Sequence, residues 1–188
     1  MTDLALGVRR AAWGARVLGV MLGAVLVALA AQVSIPLPGT PVPMTLQPMA
    51  VLLVGGLLGA RLGALSMILY LAMGAAGLPV FTPSPLLLPG IARLFGQTGG
   101  YLLSYPVAAW AVGAITADGR NVWRVACGVF AGLVLIHLGG LAQLAILTGN
   151  LSAAARFGTL PFLLGDLVKI AVLVPVLAKL APTIRARL

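Results

Sequence analysis

The sequence predicts an all-α integral membrane protein with six transmembrane helices and with proline-rich outer loops over a substrate pocket. Composition is the first basis for this prediction: 61% of the 188 residues are hydrophobic and 8% are charged, whereas soluble domains carry about 25% charged residues. The second is the spacing of the charges, since none occurs between Arg16 and Arg61 or between Arg61 and Arg93. A helix that crosses a bilayer needs about 20 apolar residues. These charge-free stretches are therefore long enough to hold the predicted spans.

The whole chain, residues 1–188, is predicted to form one membrane domain. Its helices are expected over about 17–35, 48–59, 62–77, 94–116, 125–147 and 160–181. The first two are separated by "PLPGTPVPMTLQP", where five prolines exclude a helix because proline lacks the backbone N–H. Gly59 and Arg61 divide the next apolar run into two helices, the first about 18 Å long at 1.5 Å per residue. That helix is too short to cross a bilayer alone.

The remaining boundaries follow from polar or proline-rich segments. "LPVFTPSPLLLPG" (78–90) is the second proline-rich loop and precedes the fourth helix. "ADGRNVWR" separates the fourth and fifth helices, and "TGNLSAAARFGT" precedes the last. The N-terminal arginines followed by "LGVMLGAVLVALA" are also typical of a cleaved signal peptide. We expect a retained first helix, because the rest of the chain is equally apolar.

The basic residues predict the orientation of the helices. With six spans both termini lie on one side, and the predicted inner face then carries Arg9, Arg10, Arg16, Arg61, Arg120, Arg124, Lys179, Arg185 and Arg187. The outer face carries only Arg93 and Arg156. This asymmetry follows the positive-inside rule and predicts cytoplasmic termini. It also explains the net charge of +9 without a nucleic-acid partner, since no basic cluster is interleaved with aromatic residues.

Asp166 is the only acid inside a predicted span, and Lys169 is the only lysine in the outer half of that helix. Residues at i and i+3 share a helix face, so their side chains can touch. Intramembrane charges are costly and usually line a cavity or pathway, which favours a ligand site beneath the outer loops. The alternative is a structural ion pair that only orders the last helix.

Other residues near the outer face are candidates for the same site. Arg93 can attract an anion at the mouth of a pocket or serve as an interfacial anchor, and Gln47 supplies an amide. Thr98, Gly99, Gly100 and Tyr101 open the fourth helix, where the glycines allow either a close ligand or close helix packing. His137, in the fifth helix, is interpreted as a hydrogen-bonded buried histidine, with a proton relay as the alternative.

The sequence lacks the motifs that are typical of several function classes. There is no G-x-x-x-x-G-K-[ST] motif for ATP, and no nucleophile–base set or metal-binding spacing is visible. We therefore expect neither an enzyme nor a bound cofactor or metal, and energy for uphill transport would come from partner proteins. In the first helix, Ala24 and Ala28 form a small-xxx-small pair of the kind that permits close helix contact.

Four motifs together resemble the BioY family. They are "VPMTLQ" (42–47), "GLPVF" (77–81), "TGGYLLSYP" (98–106) and "PFLLGDLVK" (161–169), in this order along nearly the whole chain. The family consists of biotin-binding S components of energy-coupling factor transporters in prokaryotic cell membranes. Two departures are Gln97, where the family usually has proline, and "TPSPLLLPG", where the family's loop is often glycine-rich.

The resemblance implies a six-helix protein that captures biotin from outside with high affinity. A transmembrane coupling component and two ABC-type ATPases would supply the energy. The family's acid-x-x-lysine motif falls on Asp166 and Lys169, both implied in biotin binding. Its helix 1 contact motif, which faces the coupling component, falls on Ala24 and Ala28. The alternatives are an S component or stand-alone carrier for another vitamin, a membrane scaffold and an intramembrane enzyme.

Overall fold

The computed structural model describes the backbone of residues 2–85 and 87–188 and the side chains of residues 13–85 and 87–188. Within this part, the chain forms seven α-helices: α1 (Thr2–Gln32), α2 (Gln47–Leu58), α3 (Ala60–Ala75), α4 (Gly99–Thr116), α5 (Val122–Thr148), α6 (Leu151–Gly158) and α7 (Leu163–Arg185). Two 3₁₀ helices cover Gly90–Phe95 and Leu160–Phe162. One antiparallel ladder joins β1 (Ser34–Ile35) to β2 (Met44–Thr45). Arg9 and Arg10 of the predicted inner face lie outside the described side chains.

The predicted all-α membrane fold is confirmed, and the six predicted spans correspond to α1 to α5 and α7. Three described segments are long and apolar enough to cross a membrane on length and composition alone: Trp13–Gln32, Val122–Thr148 and Leu151–Arg185. The shorter α2 is packed inside the bundle, and Val51 and Leu52 are fully buried. Large apolar side chains on the outside of the bundle, such as Leu167, are exposed. An apolar exterior is expected of a helix bundle that is surrounded by lipid.

The first helix ends at Gln32 rather than near residue 35, which corrects the prediction. Ser34 and Ile35 pair with Thr45 and Met44, so the first proline-rich loop folds back on itself as a short hairpin. Ile35 precedes Pro36, and a residue before proline is disfavoured in the helical region. The extended conformation of these residues has this local cause.

The outer ends of the later helices also differ from the prediction. The fourth begins at Gly99 rather than near residue 94, because Gly90–Phe95 forms a 3₁₀ helix and Gly96 is extended. The loop predicted over residues 148–159 contains α6. The side chain of Asn150 accepts a hydrogen bond from the Ala153 amide at 3.0 Å. Such an N-cap satisfies a free helix-end donor, so a polar segment can form a helix here.

The break between α2 and α3 lies at Gly59, as predicted. Its φ of 84° lies in the left-handed region, which glycine adopts without the steric cost of a side chain. At this end of the bundle, Arg185 donates to the carbonyl oxygens of Gly56 at 2.6 Å and Gly113 at 3.3 Å. Arg16 donates to the carbonyl oxygen of Leu188 at 2.6 Å. Arg16 of α1 therefore contacts the segment that follows α7, at the end of the bundle that is rich in arginine.

Candidate functional site

A cavity lies at the opposite end of the bundle, between the helices and both proline-rich loops. Its empty volume is about 640 Å³, counting the part that is open to solvent. Its polar and charged lining residues are Thr45, Gln47, Thr82, Arg93, Thr98, Tyr101, Tyr105, His137, Asp166 and Lys169. The rest of its wall is apolar, with residues such as Leu133, Ile136 and Phe162. An apolar wall with a few convergent polar groups is the usual composition of a small-molecule site.

Asp166 and Lys169 share one face of α7, as their spacing predicts, and both line this cavity. Lys169 Nζ donates to Asp166 Oδ1 at 2.7 Å. The two residues are only 6% and 8% exposed. A buried ion pair is tolerated only when its geometry is good and its remaining polar atoms are satisfied. The short contact meets the first condition, and a third residue helps to meet the second.

That third residue is His137, on α5. Its Nε2 lies 2.6 Å from Asp166 Oδ2, so each carboxylate oxygen has a protein partner. The Tyr101 and Phe162 rings lie beside the imidazole, with centroids at 6.4 and 6.5 Å. The interpretation of His137 as a hydrogen-bonded histidine is confirmed. Its partner could not be read from the sequence, because the two residues are 29 positions apart and on different helices.

Arg93 lies in the 3₁₀ helix between the second proline-rich loop and α4, and it is 6% exposed. Its Nε donates to the Leu88 carbonyl oxygen at 2.6 Å, and its Nη2 donates to that of Thr82 at 3.1 Å. Burial lowers the pKa of Arg93 from its ordinary value, because desolvation disfavours the charged form. In the described part of the chain, no carboxylate forms an ion pair with Arg93. This cation is therefore available to an anionic ligand group.

Gln47 lines the cavity, but its amide also ties the second proline-rich loop to the helices. Its Nε2 donates to the Tyr70 hydroxyl, and its Oε1 accepts from Thr82 Oγ1 at 2.7 Å. The Tyr70 hydroxyl donates in turn to the Val80 carbonyl oxygen at 3.1 Å. Thr82 was not among the predicted polar groups of the site. Its place in the cavity wall depends on how the loop folds, which no local spacing indicates.

The segment at the start of α4 divides into two roles. Thr98 and Tyr101 line the cavity, whereas Gly99 and Gly100 do not. A Cβ on Gly99 would overlap the Leu94 carbonyl oxygen, and one on Gly100 would overlap that of Gly139. The alternative of close packing therefore describes both glycines, and their assignment to a ligand is corrected.

Ala24 and Ala28 do not line the cavity. Ala24 is 0% exposed and belongs to the chain's own core, and Ala28 is partly buried against that core. A fully buried alanine cannot contact another protein unless the helices separate. The assignment of Ala24 as a partner contact is therefore not supported by its position.

Comparisons with known proteins agree with this fold. The BioY family model matches residues 6–186. The probable biotin transporter BioY of Pyrococcus horikoshii is 38% identical over 161 residues, which cover 86% of this chain and 93% of that protein. The biotin transporter BioY of Thermotoga maritima is 36% identical over 148 residues, or 78% and 84% of the two chains.

A solved structure has the same fold. It is the S-component for biotin from an ECF-type ABC transporter, with a TM-score of 0.78 and 24% sequence identity, covering 88% of this chain and 89% of the other. The match of the family model extends over almost the whole chain, and the relatives are aligned over most of their own length. The chain therefore belongs to the BioY family.

Proposed function

We propose that this protein captures biotin from outside the cell and acts in its uptake as the S component of an ECF-type transporter. The observation that carries the proposal is the buried Asp166–Lys169 pair in the wall of an apolar cavity. Family membership indicates which ligand is bound, because the relatives from Pyrococcus horikoshii and Thermotoga maritima are named as biotin transporters. Binding in this cavity requires no cofactor.

The groups of biotin match the chemistry of the cavity. Biotin has an apolar fused ring, a ureido group with two N–H donors and one carbonyl, and a carboxylate tail. In our proposal Asp166 accepts a ureido N–H, and Lys169 keeps that carboxylate ionised. Arg93 faces the tail carboxylate, because it is the cavity cation without an acidic partner among the described side chains. Thr98, Tyr101 and Gln47 complete the polar lining.

The energy for uptake would come from partners. The sequence has no P-loop motif, so in this proposal a transmembrane coupling component and two ABC-type ATPases drive release of biotin into the cell. The protein would lie in the cytoplasmic membrane of a prokaryote with both termini in the cytoplasm. The cavity would then open to the outer face, where the vitamin is captured.

Biotin binding by an Asp166→Asn variant tests the proposal. Loss of a charge-assisted hydrogen bond of about 1.5–3 kcal/mol should weaken binding roughly 10- to 100-fold, measured by calorimetry on the purified protein. Asp118→Asn is the matched control, because Asp118 is an exposed acid at the other end of the bundle. Tight binding of another vitamin in place of biotin would contradict the ligand assignment, and unchanged biotin binding by Asp166→Asn would contradict the site.

The same variants extend the test to transport. Uptake of labelled biotin in cells should require the coupling component and both ATPases, and Asp166→Asn should reduce uptake at low biotin concentration. Sustained uptake in cells that lack all three partners would identify a stand-alone carrier instead.

A further inference from the structure

The end of the bundle that holds the cavity carries an excess of positive charge. Asp166 is the acid of this end among the described side chains, and its contact with Lys169 at 2.7 Å compensates its charge. The other described acid, Asp118, lies in the turn between α4 and α5 at the opposite end. The charges of Arg93 and Arg156 are therefore not balanced by a carboxylate of the described part of the chain.

Arg156 is the exposed cation of this end, and the proposed function assigns it no role. It lies in the last turn of α6, whereas Arg93 is 6% exposed and donates to backbone carbonyl oxygens. An exposed charge acts on ions in solution over roughly one Debye length, about 10 Å at 0.1 M salt and about 30 Å at 0.01 M. The guanidinium of Arg156 therefore attracts anions that approach the cavity end from solution.

The C-terminal end of α6 is fixed to the structures that enclose the cavity. The Phe157 carbonyl oxygen accepts a hydrogen bond at 2.6 Å from Oγ1 of Thr40, which belongs to the first proline-rich loop. The Gly158 carbonyl oxygen accepts one from the hydroxyl of Tyr101, which lines the cavity. Arg156 directly precedes these two acceptors in the chain. Its charge is therefore held next to the loop and the wall that enclose the ligand site.

We propose that Arg156 steers the anionic vitamin toward the cavity and thereby raises its association rate. The inference rests on the proposed function, because the carboxylate of biotin supplies the negative charge. A charge at the edge of a binding site mainly changes the association rate and its salt dependence, whereas buried contacts mainly determine the dissociation rate. Arg156 thus acts before binding, and Arg93 faces the carboxylate once biotin is bound.

A charge series at position 156 tests the proposal. Stopped-flow fluorescence measures biotin association and dissociation for the wild-type protein, Arg156→Lys, Arg156→Gln and Arg156→Glu, in nanodiscs of phosphatidylcholine, which has no net charge. At low salt, association should slow about 2-fold in Arg156→Gln and about 4-fold in Arg156→Glu, the effect of unit charges that act over about 10 Å in water. Arg156→Lys should keep the wild-type rate, and all dissociation rates should stay the same. Arg120→Gln is the matched control, because Arg120 is an exposed arginine at the opposite end.

Salt and a neutral ligand separate steering from a structural role of Arg156. A cation in the last turn of a helix also stabilises the helix dipole, and loss of that contribution would persist at high salt. At about 1 M salt, where the Debye length is about 3 Å, all variants should associate with biotin at one rate. Biotin methyl ester has no charge, so its association rate should not depend on residue 156. A rate loss that persists at high salt would overturn the proposal, and so would an equal loss with the ester. The salt series alone decides if the ester binds too weakly to measure.

The two proposals fail in different ways. If the wild-type protein does not bind biotin at equilibrium, the proposed function is wrong. If it binds biotin but Arg156→Gln associates at the wild-type rate at low salt, only the role of Arg156 is wrong. The wild-type protein also provides a test that needs no variant, because steering requires its association with biotin to slow as salt is added. An association rate that is independent of salt would overturn the role of Arg156 even if a variant does not fold.

Discussion

At the scale of single residues, Lys169 is a partner of Asp166 before any ligand arrives. The contact between Lys169 Nζ and Asp166 Oδ1 is 2.7 Å, and their side chains are 10% and 9% exposed. Removing one member of a buried pair leaves an uncompensated charge, whereas replacing both members with neutral groups costs much less. The stability of the ligand-free protein should therefore depend on the pair as a unit.

Lys169→Met should lower the stability of the ligand-free protein by about 3–5 kcal/mol. The double variant Asp166→Asn with Lys169→Met should recover much of that loss, because no charge is then left unpaired. Thermal unfolding in detergent measures both effects, and Asp118→Asn serves as the exposed control. Equal stability of Lys169→Met and the control would show that the pair contributes nothing to the fold.

At the scale of elements, the contact between α4 and α5 depends on backbone proximity near the cavity. Gly100 lies against Gly139, where a Cβ would overlap a carbonyl oxygen. Gly140 of α5 packs against the Tyr101 ring of α4. His137 lies one helical turn before Gly140 on α5. These glycines therefore allow α4 and α5 to approach closely, and the close approach brings the Tyr101 and His137 rings together.

Gly100→Ala should destabilise the protein by about 1–3 kcal/mol, the usual cost of overpacking. It should also weaken biotin binding, because α4 and α5 must separate. Gly14→Ala is the matched control, since a Cβ added to Gly14 would meet no atom within 4 Å and alanine is the better helix former. The comparison uses thermal unfolding and calorimetry. A Gly100→Ala variant that matches Gly14→Ala in both measurements would exclude a role for this close approach.

At the scale of the whole molecule, the arginine-rich end and the cavity lie at opposite ends of the bundle. Arg16, Arg185 and the C-terminus meet at one end, and the proline-rich loops cover the other. The positive-inside rule predicts that the arginine-rich end lies in the cytoplasm. The cavity would then face the side from which a nutrient is captured.

Cysteine labelling tests this orientation. In a Cys127→Ser background, a membrane-impermeant maleimide should label Pro38→Cys in intact cells, because Pro38 is exposed in the first proline-rich loop. It should label Arg120→Cys only after the membrane is permeabilised. Arg120 is also exposed, but it lies in the turn between α4 and α5. The reverse pattern would place the cavity on the cytoplasmic side.

The sequence by itself determined the class of the protein, its six spans and the pairing of Asp166 with Lys169. These features depend on composition or on residues close together in one helix, where helical geometry alone brings i and i+3 onto one face. The break at Gly59 belongs to the same group, because it follows from the conformational freedom of one residue.

Only the tertiary structure decided which elements complete the site. The bond between His137 and Asp166 joins α5 to α7, and the Gln47 amide joins α2 to the second proline-rich loop. Whether Gly100 and Ala24 face a ligand, a partner or the core likewise depends on which helix lies against them. Helical periodicity identifies the face that a residue shares with its neighbours, but the element opposite that face is selected by packing over the whole bundle.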